Sequence, residues 1–250
     1  MEGAGAELRD CAKSGRQIDA RQTLAEGATV ETVEEAQAKI FVEITQDDPQ
    51  VRSAYIDRFS AEAKEFSKVM ATAMLMWLEM HGAAQGYERR TQVSALVYTA
   101  TSLHIGSMKL FLSGNTVASG NLFRQVVETV ALSLLCSGKD LDTLTRFAED
   151  QYSTQDAVRD VLRNSDKLGL KKTALEVLRQ AQGFYSKHSH PSKITIGVGE
   201  SFAGEGIYIG ASPFDKGKDE YYAKEIAGRL GLATAFPNFV EAVRANIAKW

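Results

Sequence analysis

Between residues 51 and 80 the apolar side chains Val51, Tyr55, Phe59, Ala63, Phe66, Met70, Ala73, Trp77 and Met80 recur at steps of three or four. That period belongs to an α-helix with one face turned to a core. At 1.5 Å per residue such a helix runs roughly 45 Å, too far for a short strand or a loop to cover, so the chain must supply other long helices to pack on it. Asp48 before Pro49 is a start signal, since an Asp cap and a Pro in the first turn both suit a helix N-terminus. Gly82 suits the end.

The rest of the sequence offers the partners. Apolar positions at helical spacing predict a second long helix over residues 87–112, ended by Ser113-Gly114-Asn115. The short links on either side require antiparallel neighbours. A third helix, beginning near Thr116 or Asn121 and ending at Cys136, is apolar nearly all round and belongs at the centre of the assembly. Helical patterns continue over residues 140–164 and 171–187. A weaker one covers 30–44.

The period then changes. Ile194-Thr195-Ile196-Gly197-Val198 and Ile207-Tyr208-Ile209 are short β-branched or aromatic runs around a glycine-containing loop, which predicts a small β-hairpin near residues 194–210. Two helices, 219–230 and 233–249, finish the chain, with a bend expected near Pro237. The expected fold class is therefore mainly α, an antiparallel helical bundle carrying a small β-hairpin. No repeat or low-complexity linker divides the chain, so residues 49–250 read as one domain and residues 1–48 as an acidic N-terminal helical appendage.

Charge and composition exclude several classes. The formal net charge is −3, yet residues 1–50 hold 11 acidic and 5 basic side chains, so the remainder is slightly basic without being a general polyanion binder. Two cysteines, Cys11 and Cys136, cannot build a disulfide framework or a four-thiolate zinc site, and a reducing, cytoplasmic setting fits them. The most apolar run, residues 69–78, is short of the roughly 20 residues that span a bilayer. No membrane partner is expected.

Two constellations carry polar chemistry. Arg124 and Glu128 stand one turn apart on the most apolar helix, where they form either a structural ion pair or the wall of a polar pocket. The stretch Tyr185-Ser186-Lys187-His188-Ser189-His190-Pro191-Ser192-Lys193 holds two of the four histidines. His188 and His190 diverge by about 200° on a helix, and a metal would need a third ligand, for which only Glu128 or Glu200 offer themselves. No metal and no cofactor is expected. A histidine there can instead move a proton near neutrality, or simply meet the helix C-terminal dipole. No G-x-S-x-G elbow accompanies the serines. From Arg163 to Lys193 seven basic residues face two acidic ones, a surface for a nucleic-acid backbone or an ordinary solvated helix face. His81 and His104 read as helix residues without evident partners.

The order Leu122-x-Arg124-x3-Glu128, a long helical interval, Ser186-x3-His190-Pro191-Ser192, a glycine-rich segment and terminal helices resembles a bacterial protein family with a HEPN-like helical core. The resemblance covers residues 87–250. It implies a helical bundle, often a homodimer, among proteins that include RNases and toxin–antitoxin or phage-defence components. In that case Arg124, Glu128, Ser186 and His190 would be the catalytic set of a metal-independent endoribonuclease, with Tyr185, Lys187, His188 and Lys193 contacting RNA. The sequence departs from the HEPN Arg-x4-6-His motif, since no histidine follows an arginine at that spacing. A non-catalytic helical dimerisation or interaction module with a buried polar network is the alternative, and a bundle that binds a small molecule a third.

Overall fold

Asp48 starts the longest helix as its sequence requires: the carboxylate accepts from the N–H groups of Gln50 at 2.8 Å and Val51 at 3.0 Å, and Pro49 occupies the first turn. In the computed structural model, which describes residues 32–187, 195–197 and 210–250, this helix is α2, Pro49–Ala84, preceded by α1, Val33–Thr45. α1 begins with a reciprocal cap in which Thr32 and Glu35 each accept the other's backbone N–H at 3.1 Å.

α2 buries Val51, Tyr55, Phe59, Phe66, Met70, Ala73 and Met80, the stripe read from the sequence, with a local departure from helical geometry at Phe59. Gly86, at φ 84°, turns the chain into α3, Glu88–Leu112, and Gly114, at φ 76°, turns it again into α4, Thr116–Ser137. Both glycines sit where an L side chain is strained. α4 is the hub: it packs on α3, on the short helices α5, Thr143–Ala148, and α6, Ala157–Arg163, on α7, Lys172–Tyr185, and on α8, Asp219–Ile247. α8 also packs along α2 and α3, closing the bundle. Asn246 near its end donates to Ser137 Oγ at 3.2 Å and Leu168 O at 3.4 Å.

Three expectations are corrected. The interval 140–164 is broken into α5, a 3-10 turn at Thr154–Asp156 and α6, because Asp150 takes a left-handed φ of 56° and reverses the chain, while Tyr152 returns to Asp160 Oδ2 at 3.1 Å. The two terminal helices are one, α8, which runs through Pro237. Proline removes one helical hydrogen bond, but Phe236, Phe239, Val240 and Val243 are all buried around it and hold both halves in line. The β-hairpin is not supported: residues 195–197 form a helical turn and no strand occurs among the described residues. The remainder of the hairpin segment lies outside them.

α1 is unlike the others. It buries no residue. Its half-buried positions are Ala36, Lys39 and Glu43, spaced three and four apart on one face. Glu43 Oε1 accepts from Ala211 N at 3.1 Å. The other face carries Val33, Ile40, Phe41 and Ile44, exposed by 79%, 46%, 60% and 73%.

Candidate functional site

The most buried charged side chains among the described residues lie on α8. Tyr222, Ile226, Leu232, Ala233 and Phe236 define its inward stripe, and Glu225 and Arg229 fall on that stripe one turn apart. Arg229 Nη1 donates to Glu225 Oε2 at 2.7 Å and to Glu225 O at 2.9 Å, and Nη2 donates to Ser119 Oγ on α4. The guanidinium stands 5.1 Å from the Phe111 ring centroid and 5.2 Å from that of Phe123, at cation–π range. Its Nε has no hydrogen-bond partner among the described residues.

His104 on α3 completes the compartment. The acceptor is a carbonyl, the Arg229 O at 3.1 Å, so Nε2 carries the proton and donates it. The ring packs on Phe66, Phe123 and Phe236 with centroids 4.9, 5.4 and 5.0 Å away. Burial, reinforced by the charge of Arg229, lowers its pKa to about 3, so the imidazole is neutral. Ser107 Oγ donates to His104 O at 2.8 Å, and Ser119 Oγ donates to Ser107 O at 2.7 Å. His104, Ser107, Ser119 and Arg229 are fully buried, and Glu225 is 1% exposed. A neutral histidine and a paired cation closed off by aromatic rings cannot meet a substrate. They fix the relative register of α3, α4 and α8.

Tyr185, at the end of α7, forms the partition between this compartment and the surface. Its ring meets Phe123 edge-on at 4.6 Å and lies 5.9 Å from the Arg229 guanidinium, and its hydroxyl reaches the Glu225 carboxylate. Burial, opposed by the positive charge of Arg229, raises its pKa above the ordinary phenol range. On the other side of the partition is a cleft of about 430 Å³ between α4, α7 and α8, walled by Phe123, Val177, Leu178, Phe184, Tyr185 and Leu232. Lys224 also lines it, its amine 2.7 Å from Glu220. Its lining is mostly apolar, and among the described residues no acid and base converge in it.

Of the residues singled out from sequence, Arg124 and Glu128 do pair: Nε donates to Oε1 at 2.9 Å, with the side chains 16% and 11% exposed. Tyr185 is buried, Lys187 is exposed, and Ser186 Oγ donates to Gln182 O at 2.7 Å. His188, His190 and Lys193 lie outside the described residues, as does any meeting of His190 with Arg124. His81, which has no evident partner in the sequence, has its Nδ1 3.1 Å from Ser94 Oγ and stacks on Trp77. Along the expected basic surface Lys167, Lys171 and Lys172 are exposed, while Arg163 approaches Asp160 at 3.8 Å and Arg179 Nε donates to Glu176 at 2.7 Å. Among the described residues no three His, Cys, Asp or Glu side chains converge to hold a metal ion, and no helix is long and apolar enough to cross a membrane.

The sequence reading passed over Glu225 and Arg229, and it gave His104, read as a helix residue without an evident partner, no link to α8. The signal was available, because Glu225 and Arg229 occupy positions that continue the apolar stripe of Tyr222, Ile226 and Phe236, and a charged pair on such a stripe is buried. Compared with protein-family models, curated proteins and solved structures, the chain matches none.

Proposed function

We propose that this protein is a helical interaction module that self-associates, with its buried charges serving the fold. The single observation that carries the reading is the exposure of α1, whose half-buried positions are Ala36, Lys39 and Glu43 while Val33, Ile40, Phe41 and Ile44 are open to solvent. A helix that folds with its apolar stripe outward leaves surface that association removes from water, at roughly 25 cal/mol per Å². The sealed state of the Arg229 compartment supports the same reading, since its polar groups are spent on helix register. Sedimentation of the full chain over a concentration series tests it: a reversible monomer–dimer equilibrium is expected, and a monomer at every concentration would overturn it.

The second reading is RNA binding or metal-independent cleavage by Arg124, Glu128, Ser186 and His190. What favours it is the position of the Arg124–Glu128 pair, which retains some solvent contact, together with the exposed Lys167, Lys171 and Lys172. An arginine can grip a phosphate through two parallel hydrogen bonds. Incubation of purified protein with single-stranded RNA, beside the Arg124→Ala and His190→Ala variants, decides it. Cleavage lost in both variants would establish the reading, and intact RNA with no measurable binding would remove it.

A further inference from the structure

The cleft beside Tyr185 and the outward face of α1 are complementary in three respects. The first is apolarity: Val177 and Phe184, 58% and 39% exposed, line a cleft that Leu178, Phe123 and Leu232 deepen. The second is length. α1 has 13 residues and α7 has 14, about 20 Å each at 1.5 Å per residue, so one can lie along the whole of the other. The third is charge. Residues 33–48 hold five acidic side chains and one basic, whereas residues 167–187 hold five basic and one acidic.

We infer that α1 of one copy docks by its Val33, Ile40, Phe41 and Ile44 face into the α4–α7–α8 cleft of a second copy. The inference rests on the self-association reading and adds the two surfaces that meet. α1 does not line the cleft of its own chain, and its carboxylate Glu43 is held at Ala211, beside the positive-φ Gly210. Charge favours α7 over α1 or α2 as the partner in a second copy. Two α1 helices packed on each other would bring like charges together, while α1 on α7 brings opposite charges together. The apolar positions Leu75 and Leu78 on α2, also exposed, have no such basic surroundings: α2 places Glu65, Lys68 and Glu79 on that stretch. If both copies exchange α1, the contact is made twice and the assembly closes on itself as a two-fold dimer.

The test uses full-length protein and two surface variants, Phe41→Asp on α1 and Val177→Asp at the cleft, each at an exposed position and each checked for an unchanged circular dichroism spectrum and melting temperature. Sedimentation equilibrium should show the parent chain as a dimer and each variant associating at least tenfold more weakly. Mixing the two variants should restore part of the association, because the intact α1 of Val177→Asp meets the intact cleft of Phe41→Asp. A parent dimer that Val177→Asp leaves unchanged, or a mixture that regains nothing, would overturn the docking while leaving self-association standing. A parent chain that stays monomeric would overturn both.

Discussion

The His104 imidazole and Arg229 are bound to each other through backbone: ring Nε2 donates to the Arg229 carbonyl at 3.1 Å, inside a compartment where both residues are fully buried. A permanent cation and a titratable ring thus share one buried compartment. Burial comes first in keeping the ring neutral, and the repulsion from Arg229 adds to it.

Stability should therefore fall on mild acidification. The folded-state pKa of about 3 lies below the unfolded value of 6.5, so below pH 6.5 the unfolded chain takes up a proton that the folded chain refuses. The stabilisation is complete above pH 6.5 and is lost progressively as pH falls towards 3, at a cost of about 2 kcal/mol by pH 5. Urea unfolding at pH 7 and pH 5 measures it. In His104→Gln, which retains a donor, that part of the slope should vanish, and an unchanged slope would contradict the assignment.

Breaking the Arg229–Glu225 pair should cost far more than breaking a surface pair. Removing one partner of a buried, hydrogen-bonded pair typically costs about 3–5 kcal/mol because the other charge is stranded. Arg229→Met should fall in that range in urea unfolding, and Arg229→Met with Glu225→Leu should recover much of the loss. By contrast Lys224→Ala, which removes an exposed partner of Glu220, should leave the urea midpoint nearly unchanged.

Gly114 turns the chain between α3 and α4 with no room for a side chain. A Cβ built there would come 2.6 Å from Val51 Cγ1 and 2.7 Å from Ser212 O, at a φ of 76°. Gly114→Ala should cost roughly 2 kcal/mol or more from combined strain and clash. Gly82→Ala, with open space at its Cβ and a place inside α2, should be neutral or slightly stabilising. Thermal melts of the two variants give the comparison.

Cys136 lies in the buried face of α4, and burial pushes its thiol up to about 12. Since the thiolate is the reactive form, iodoacetamide at pH 8 should leave Cys136 unmodified in the folded protein and label it after unfolding. Peptide mass spectrometry reads both states. Rapid native labelling of Cys136 would contradict the packing of α4.

The helical skeleton was legible in sequence because α2, α3 and α4 declare themselves by period and by punctuation. The Asp48-Pro49 start, the turn at Gly114 and the all-round apolarity of α4 each correspond to a physical requirement met in the fold, whereas Gly82, read as the end of α2, lies inside it and the turn falls at Gly86. What misled was punctuation without tertiary context. Pro237 reads as a bend, yet buried aromatic and valine neighbours outweigh one missing hydrogen bond. The polar run after Ala148 reads as helix, yet Asp150 turns there. The site was harder for a related reason. Arg124 and Glu128 stand out because nothing else on α4 is charged, whereas Glu225 and Arg229 sit on a helix rich in charge and their burial shows only when the stripe is traced through them. The outward orientation of α1 was not readable at all, since an amphipathic pattern gives a face and not what the face meets.

The most direct measurement of the central account is hydrogen exchange at the α1 amides as a function of protein concentration. In a lone chain α1 buries no residue and its amides should exchange fast; as copies associate, protection over residues 36–45 should rise with concentration alongside protection in α7. Protection of α1 that is the same at every concentration, or that never exceeds that of an isolated helix, would contradict association through its apolar face.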